Sequence, residues 1–342
     1  MTSMSSQRRL LEAAVPDVGA NLSLLVTLPL FSGLVDDELE ALARVTRVVE
    51  ALQGDDLWRE GDEADGLYVI VSGRVTVDTR LPADREVEIA TLGPGGVLGE
   101  IPLLGGGRRW ATVRVLEDSR FLFLGRPEFG ALVSGASPGA LIVRRRLVAL
   151  VCDRLRQRHE ALAEWLGGEP PVQVDPPTAT PPQRGGATPP REEYLLRLPF
   201  FRKLDRISAV DVVRRGVIVD LPVSSVVVAE GALANGCWIT LNGAVEELIR
   251  RGDRVIRVSL AGPGHAFGYL GLIDGLPASV AAATRERSRL LFLPPDEFEV
   301  LFDATALGAG AFREAIQRDL VRGLRASMRP QARLAVGGGE GR

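Results

Sequence analysis

Histidine is scarce in this chain, with two residues in 342, His159 and His265. A β-barrel that holds a catalytic metal needs a cluster of His and carboxylate ligands. His159 stands in a charged stretch and His265 in a Gly-Pro-Gly turn, each without a second ligand nearby in sequence, so the residues argue against a metal site. Cysteine is equally sparse. Cys152 and Cys237 are too few for a secreted disulfide framework. Both sit in apolar patterns that suit buried free thiols in the cytoplasm. Long apolar runs are missing too. The most apolar early stretch, Leu22 to Leu34, is interrupted by Pro29 and Gly33 and falls short of the roughly 20 residues of a membrane helix. Glu12, Pro16 and Asp17 upstream do not suit a signal peptide. Charge of one sign is also lacking. Net charge is −3 and the isoelectric point about 5.7, so no global field draws the chain to nucleic acid. No P-loop, kinase-type glycine loop or nucleophile–base set is visible, which speaks against an enzyme.

What is present is a repeat. Leu28-Pro29-Leu30-Phe31 recurs as Leu198-Pro199-Phe200-Phe201, and Glu60-Gly61 as Glu230-Gly231, each 170 positions on. Gly73 and Val75 recur as Gly243 and Val245 at the same offset, while Gly-Pro-Gly at 93–95 returns at 262–264 with one residue lost. Punctuation residues that keep one offset mean two copies of one domain. Between the copies, Gly167 to Arg191 holds eight prolines and no aromatic residue, the composition of a semi-rigid linker. The resulting division is an N-terminal segment 1–23, a first domain 24–166, a linker 167–191, a second domain 192–330 and a flexible tail 331–342.

Within each copy, short alternating segments bounded by glycine read as strands. Leu67–Val71, Val75–Asp78, Val87–Ala90 and Phe121–Leu124 are expected strands, with Leu290–Leu293 repeating the last. Gly61, Gly73, Gly93 and Gly95 are assigned to turns that need positive φ. Helices are expected over Asp36–Ala51, Leu141–Leu166 and Ala311–Met328. The fold class is therefore mainly β with flanking helices: two antiparallel jelly rolls (double-stranded β-helices). Trp58 reads as core. Trp165 reads as helix packing, with capping of a bound base as the alternative. Arg144-Arg145-Arg146 reads as a solvated helix face.

The most informative stretch is 99–113, G-E-I-P-L-L-G-G-G-R-R-W-A-T-V. A glycine and a Glu open a helix turn, a glycine loop follows, and an Arg returns ten residues after the first glycine. Glu100 suits a ribose hydroxyl and Arg109 a two-pronged grip on phosphate oxygens, with amides of the helix turn completing an anion cradle. Arg108 reads as solvent-facing. Pro102 is tolerated in a first helical turn, where its missing N–H costs little.

This stretch resembles, without gaps, the phosphate-binding cassette of cyclic-nucleotide-binding domains, and the order helix, barrel, long helix is similar to theirs. The resemblance implies that Glu100 binds the ribose 2′-hydroxyl and Arg109 the cyclic phosphate, with Gly99, Ile101, Pro102, Trp110, Ala111 and Thr112 around the ligand. Trp110 departs from the small residue usual there. A hydroxyl at that position goes with guanine in the family, so Trp110 leans the preference toward cAMP over cGMP. The second cassette reads G-Y-L-G-L-I-D-G-L-P-A-S-V, with Tyr269 where Glu100 stands and Ala278 where Arg109 stands, and is expected not to bind nucleotide. The expected function is a non-catalytic cyclic-nucleotide receptor. It would bind one ligand in its first domain and signal to the second domain, a protein partner or a homodimer, as protein-kinase regulatory subunits do. Two alternatives remain: a scaffold with a relic site, or a transcription regulator of the catabolite-activator type. The second meets an obstacle, because the 49 residues after Leu293 show no helix-turn-helix.

Overall fold

The computed structural model describes residues 17–80, 86–167, 189–303 and 309–337, with side chains of the last segment from 310 to 327. Most of the expected N-terminal segment (1–16), most of the proline-rich linker (168–188) and the end of the tail (338–342) lie outside the described residues. The chain forms two compact units, Met1–Leu147 and Val148–Arg342.

The first unit opens with α1 (Val18–Thr27), capped by the Asp17 side chain, and α2 (Asp36–Val45), whose first turn carries Asp36, Asp37 and Glu38. Acidic groups there meet the positive end of the helix dipole. The helix expected over Asp36–Ala51 stops at Val45, and Thr46–Ala51 is β1. The β-branched Thr46, Val48 and Val49 favour the strand, which pairs antiparallel with Phe121–Leu124. The barrel continues through β2 (Asp56–Trp58), β3 (Gly66–Arg80), β4 (Glu86–Leu92), β5 (Val97–Leu98), the helical turn α3 (Glu100–Gly105) and β6 (Thr112–Gly125). It closes with α4 (Arg126–Ser134) and the first residues, to Leu147, of the long α5 (Pro138–Leu166). All strand pairs are antiparallel. Inside lie Trp58, Tyr68, Ile70, Val75, Val113, Phe121 and Phe123.

Two expected strands, Leu67–Val71 and Val75–Asp78, are one. Strand β3 runs through Gly73 with register shifts between Ile70 and Val75. Gly73 has φ +90° and a Cβ there would sit 2.1 Å from Ser119 Oγ, so this glycine makes a bulge rather than a turn. Gly61 and Gly95 do have positive φ, whereas Gly93 does not. Arg144 and Arg146 are not a solvated face. Arg144 is buried and donates to the carbonyl of Val133, and Arg146 donates to the carbonyls of Leu30 and Ser32.

The second unit repeats the order: α6 (Glu192–Leu195), α7 (Arg206–Arg215), β7 (Val217–Leu221), β8 (Val226–Val228), β9 (Cys237–Asn242), β10 (Val245–Arg251), β11 (Arg254–Ala261), β12 (Ala266–Phe267), α8 (Leu270–Asp274), β13 (Ala281–Thr284), β14 (Ser288–Leu293), α9 (Pro295–Asp303) and α10 (Ala309–Gly337). Here the long strand is broken into β9 and β10 at Gly243, and two four-stranded sheets result, β11-β10-β13-β8 and β12-β9-β14-β7. Individual backbone hydrogen bonds carry the repeat. Gly61 N donates to Arg109 O at 2.8 Å and Gly231 N to Ala278 O at 2.7 Å; Gly95 N donates to Ile70 O and Gly264 N to Thr240 O. Helix α10 reaches Gly337, so residues 331–337 are helical where a tail was expected. Its Asp319 accepts from His265 Nδ1 at 2.7 Å and Ala266 N at 2.9 Å, tying the helix to the barrel.

The expected first domain takes in all of α5, yet residues from Val148 onward belong to the second unit. Buried positions 151, 152, 155, 156, 159, 162, 163 and 166 recur at helical spacing, and Leu162, Ala163 and Leu166 pack with Ile249, Val258 and Val280. Trp165 falls off this stripe and is 54% exposed, so it does not pack as expected. Among the described residues no helix is long and apolar enough to cross a membrane.

His159 lies on the buried stripe, with Nδ1 2.8 Å from Ser279 Oγ. Burial, then the Arg156 charge, push its pKa down to about 3. The unfolded chain therefore takes up a proton below the ordinary His value that the folded unit refuses, and stability falls as pH drops through that range. Relative to pH 7, His159 should cost the second unit about 2 kcal/mol at pH 5. Urea unfolding of wild type and His159→Gln at both pH values checks this. The variant should be the less acid-sensitive, and equal sensitivity would contradict it.

Candidate functional site

Strand β6 begins where the expected cassette ends, and the end of α3 returns toward it across Gly106 and Gly107, both at positive φ. Thr112, the first residue of β6, accepts the amide of Glu60 on its hydroxyl at 3.1 Å. The Ala111 carbonyl accepts from Trp58 Nε1 at 3.0 Å. These bonds fix the strand end and set the Arg109 side chain back into the barrel, where it is 2% exposed.

A guanidinium so deep needs compensation. Nη2 donates to Asp65 Oδ1 at 2.5 Å and to the Gly66 carbonyl at 2.9 Å, and Nη1 to the Gly99 carbonyl at 3.3 Å. Its carbon stands 3.9 Å from the centroid of the Trp58 ring, and such a desolvated cation–π contact contributes on the order of 2 kcal/mol. Tyr68 donates its hydroxyl to Asp65 Oδ2 at 2.8 Å, and burial followed by the Asp65 charge pushes its pKa up. Arg109 Nε is buried and has no hydrogen-bond partner among the described residues.

Gly99 sits at φ +85°, and a Cβ there would meet Arg109 Nη1 at 2.1 Å and Gly66 O at 2.8 Å. The expectation gave Gly99 to ligand approach, but in the structure its lack of a side chain makes room for Arg109. Glu100 is fully buried at the start of α3, followed by a buried Pro102 in the same turn. Ile101 and Trp110 are half-buried, while Ala111 and Thr112 are buried. Arg108 is exposed and donates to the Gly61 carbonyl.

Sequence reasoning missed Asp65, Gly66 and Tyr68. A signal for Asp65 lay in the repeat. At offsets of 170, 170 and, after the lost residue, 169, Trp58, Asp65 and Arg109 become Val228, Asn235 and Ala278, so the three side chains of the cation cage vanish together. In the second cassette Tyr269 is buried, and burial pushes its hydroxyl pKa well up. Among the described residues no group of three or more His, Cys, Asp and Glu is placed to hold a metal.

The family described as cyclic nucleotide-binding domain matches residues 48–135 and 218–305. The cyclic AMP receptor protein of Thermus thermophilus is 35% identical over 130 residues, which are 38% of this chain and 58% of that protein. A CRP-like cAMP-activated global transcriptional regulator of Mycobacterium tuberculosis is 24% identical over 145 residues, 42% of this chain and 63% of that one. The chain thus spans about three fifths of the length of these relatives. Among solved structures, the regulatory domain of Toxoplasma gondii PKA with cAMP aligns over 84% of this chain and 93% of its own, at 19% identity and a TM-score of 0.32.

Gly99→Ala should destabilise the first unit by about 2 kcal/mol or more, since it adds left-handed backbone strain to displacement of Arg109. Chemical denaturation measures the loss. A variant as stable as wild type would remove the structural role given to Gly99.

Proposed function

The chain belongs to the cyclic nucleotide-binding domain family and carries that domain twice, and from this premise we propose that it is a non-catalytic cyclic-nucleotide receptor of the cytoplasm. The first domain binds cAMP in preference to cGMP, and the second binds neither. Arg109 is the anchor of the cyclic phosphate and Glu100 of the ribose hydroxyl, with Gly99, Ile101, Pro102, Trp110, Ala111 and Thr112 lining the ligand.

One observation carries the reading. The buried Arg109 guanidinium is held by Asp65 and two carbonyls, while its Nε–H has no hydrogen-bond partner among the described residues. A buried donor left unsatisfied costs about 1–3 kcal/mol, and an anion reaching the cassette relieves that cost. Asp65 keeps the cation in place before the ligand arrives, so binding spends less on ordering the side chain. A ligand that binds one arrangement of the cassette better than another shifts the chain toward it. We place the output of that shift in the second domain, a protein partner or a homodimer.

Calorimetric titration of the full chain with cAMP and cGMP tests the proposal. Wild type should bind one cAMP per chain. Arg109→Ala should weaken binding by about 150-fold, the factor for roughly 3 kcal/mol lost with a buried charge partner. Two nucleotides per chain would contradict the reading of the second domain. No binding to wild type would instead support a scaffold with a relic site.

A further inference from the structure

The second cassette has lost its anion ligands, and the structure shows what stands in their place. Within the second unit, the Arg156 guanidinium on α5 enters the loop that follows α8. Its Nε and Nη2 donate to the two carboxylate oxygens of Asp274 at 2.7 and 2.9 Å. Nη1 donates to the Pro277 carbonyl at 2.5 Å and Nη2 also to the Leu276 carbonyl at 3.2 Å. Both side chains of the ion pair are less than one-tenth exposed. Ser279 Oγ meets His159 one helical turn further along α5. Asp274, Leu276, Pro277 and Ser279 occupy the cassette positions that Gly105, Gly107, Arg108 and Trp110 hold in the first copy.

The groups this loop turns on Arg156 are a carboxylate and two carbonyls, acceptors with no fixed donor among them. That set repels phosphate and matches the planar fork of a guanidinium, which fits a carboxylate bidentately. Where the first copy places a cation within its cassette, the second presents an anion. Below Arg156, Leu162, Ala163 and Leu166 lie against Ile249, Val258 and Val280, and Arg254 donates to the Leu166 carbonyl at 2.9 Å. An arginine anchor with an apolar stripe beside it is the pattern of a helix docked in a groove.

We propose that the second cassette is a guanidinium-binding site whose resident ligand is Arg156 of the chain's own helix, so that the second domain serves as a helix-docking module. This assignment stands whether or not the first domain binds nucleotide.

Amide hydrogen exchange on the full chain tests it. Arg156→Ala should raise exchange over residues 148–166 by at least about tenfold. Millimolar methylguanidinium, filling the vacated cradle, should restore much of that protection. It should fail to do so in Arg156→Ala/Asp274→Asn, and sodium phosphate should not substitute for it. Should Arg156→Ala unfold the unit, Arg156→Lys keeps the charge while losing the fork, and it should show an intermediate loss of protection. Unchanged exchange in either single variant overturns the proposal, as does rescue by phosphate or rescue that survives Asp274→Asn.

Discussion

The first barrel is organised around a buried positive charge. Arg109 is set inside by the β6 backbone, and everything near it serves to make that burial tolerable: an aromatic face from Trp58, a carboxylate from Asp65, and the carbonyls of Gly66 and Gly99. Removing an arginine from water is unfavourable by several kcal/mol unless such partners are in place. The cage therefore constrains residues far apart in sequence. Gly99 must lack a side chain because Arg109 occupies the space where a Cβ would go. Tyr68 must keep its proton because it donates to the carboxylate that holds the guanidinium.

The second copy shows what the same backbone does without that constraint. Turn hydrogen bonds at Gly231 and Gly264 match those at Gly61 and Gly95, so the frame does not depend on the cage. With Val228, Asn235 and Ala278 in place of Trp58, Asp65 and Arg109, the buried cation is gone while the interior stays aromatic: Trp238 packs with Phe267 and Phe292, as Tyr68 packs with Trp58 and Phe123 in the first copy. The first cassette contributes the Arg109 guanidinium to its ion pair, whereas the second contributes the Asp274 carboxylate. The same frame thus tolerates a cassette that contributes a cation in one copy and an anion in the other.

Much of this was legible in the sequence. The repeat, the strands at Leu67–Val71, Val87–Ala90 and Phe121–Leu124, and the two helices that follow the barrels are encoded in short-range periodicity and glycine punctuation. The failures share a cause. Helix α2 ends at Val45 because the next residues pair with Phe121–Leu124, some seventy positions away. The Gly73 bulge depends on Ser119 across the sheet. Arg144 and Arg146 looked solvated because their carbonyl partners lie on other segments. Asp65 was invisible for the same reason, until the two copies are compared at matching positions. Local pattern specifies local structure, while buried charge is specified by partners that only folding brings together.

The central claim is that the Arg109 guanidinium is held ready for an anion, with Nε–H as the donor left over. Nitrogen-15 spectra of arginine side chains in the full chain, recorded during titration with cAMP, test it most directly. The account predicts that the Arg109 Nε–H resonance, identified by its absence in Arg109→Lys, shifts and saturates with one equivalent of nucleotide. A saturable cAMP interaction that leaves that resonance unmoved would contradict it.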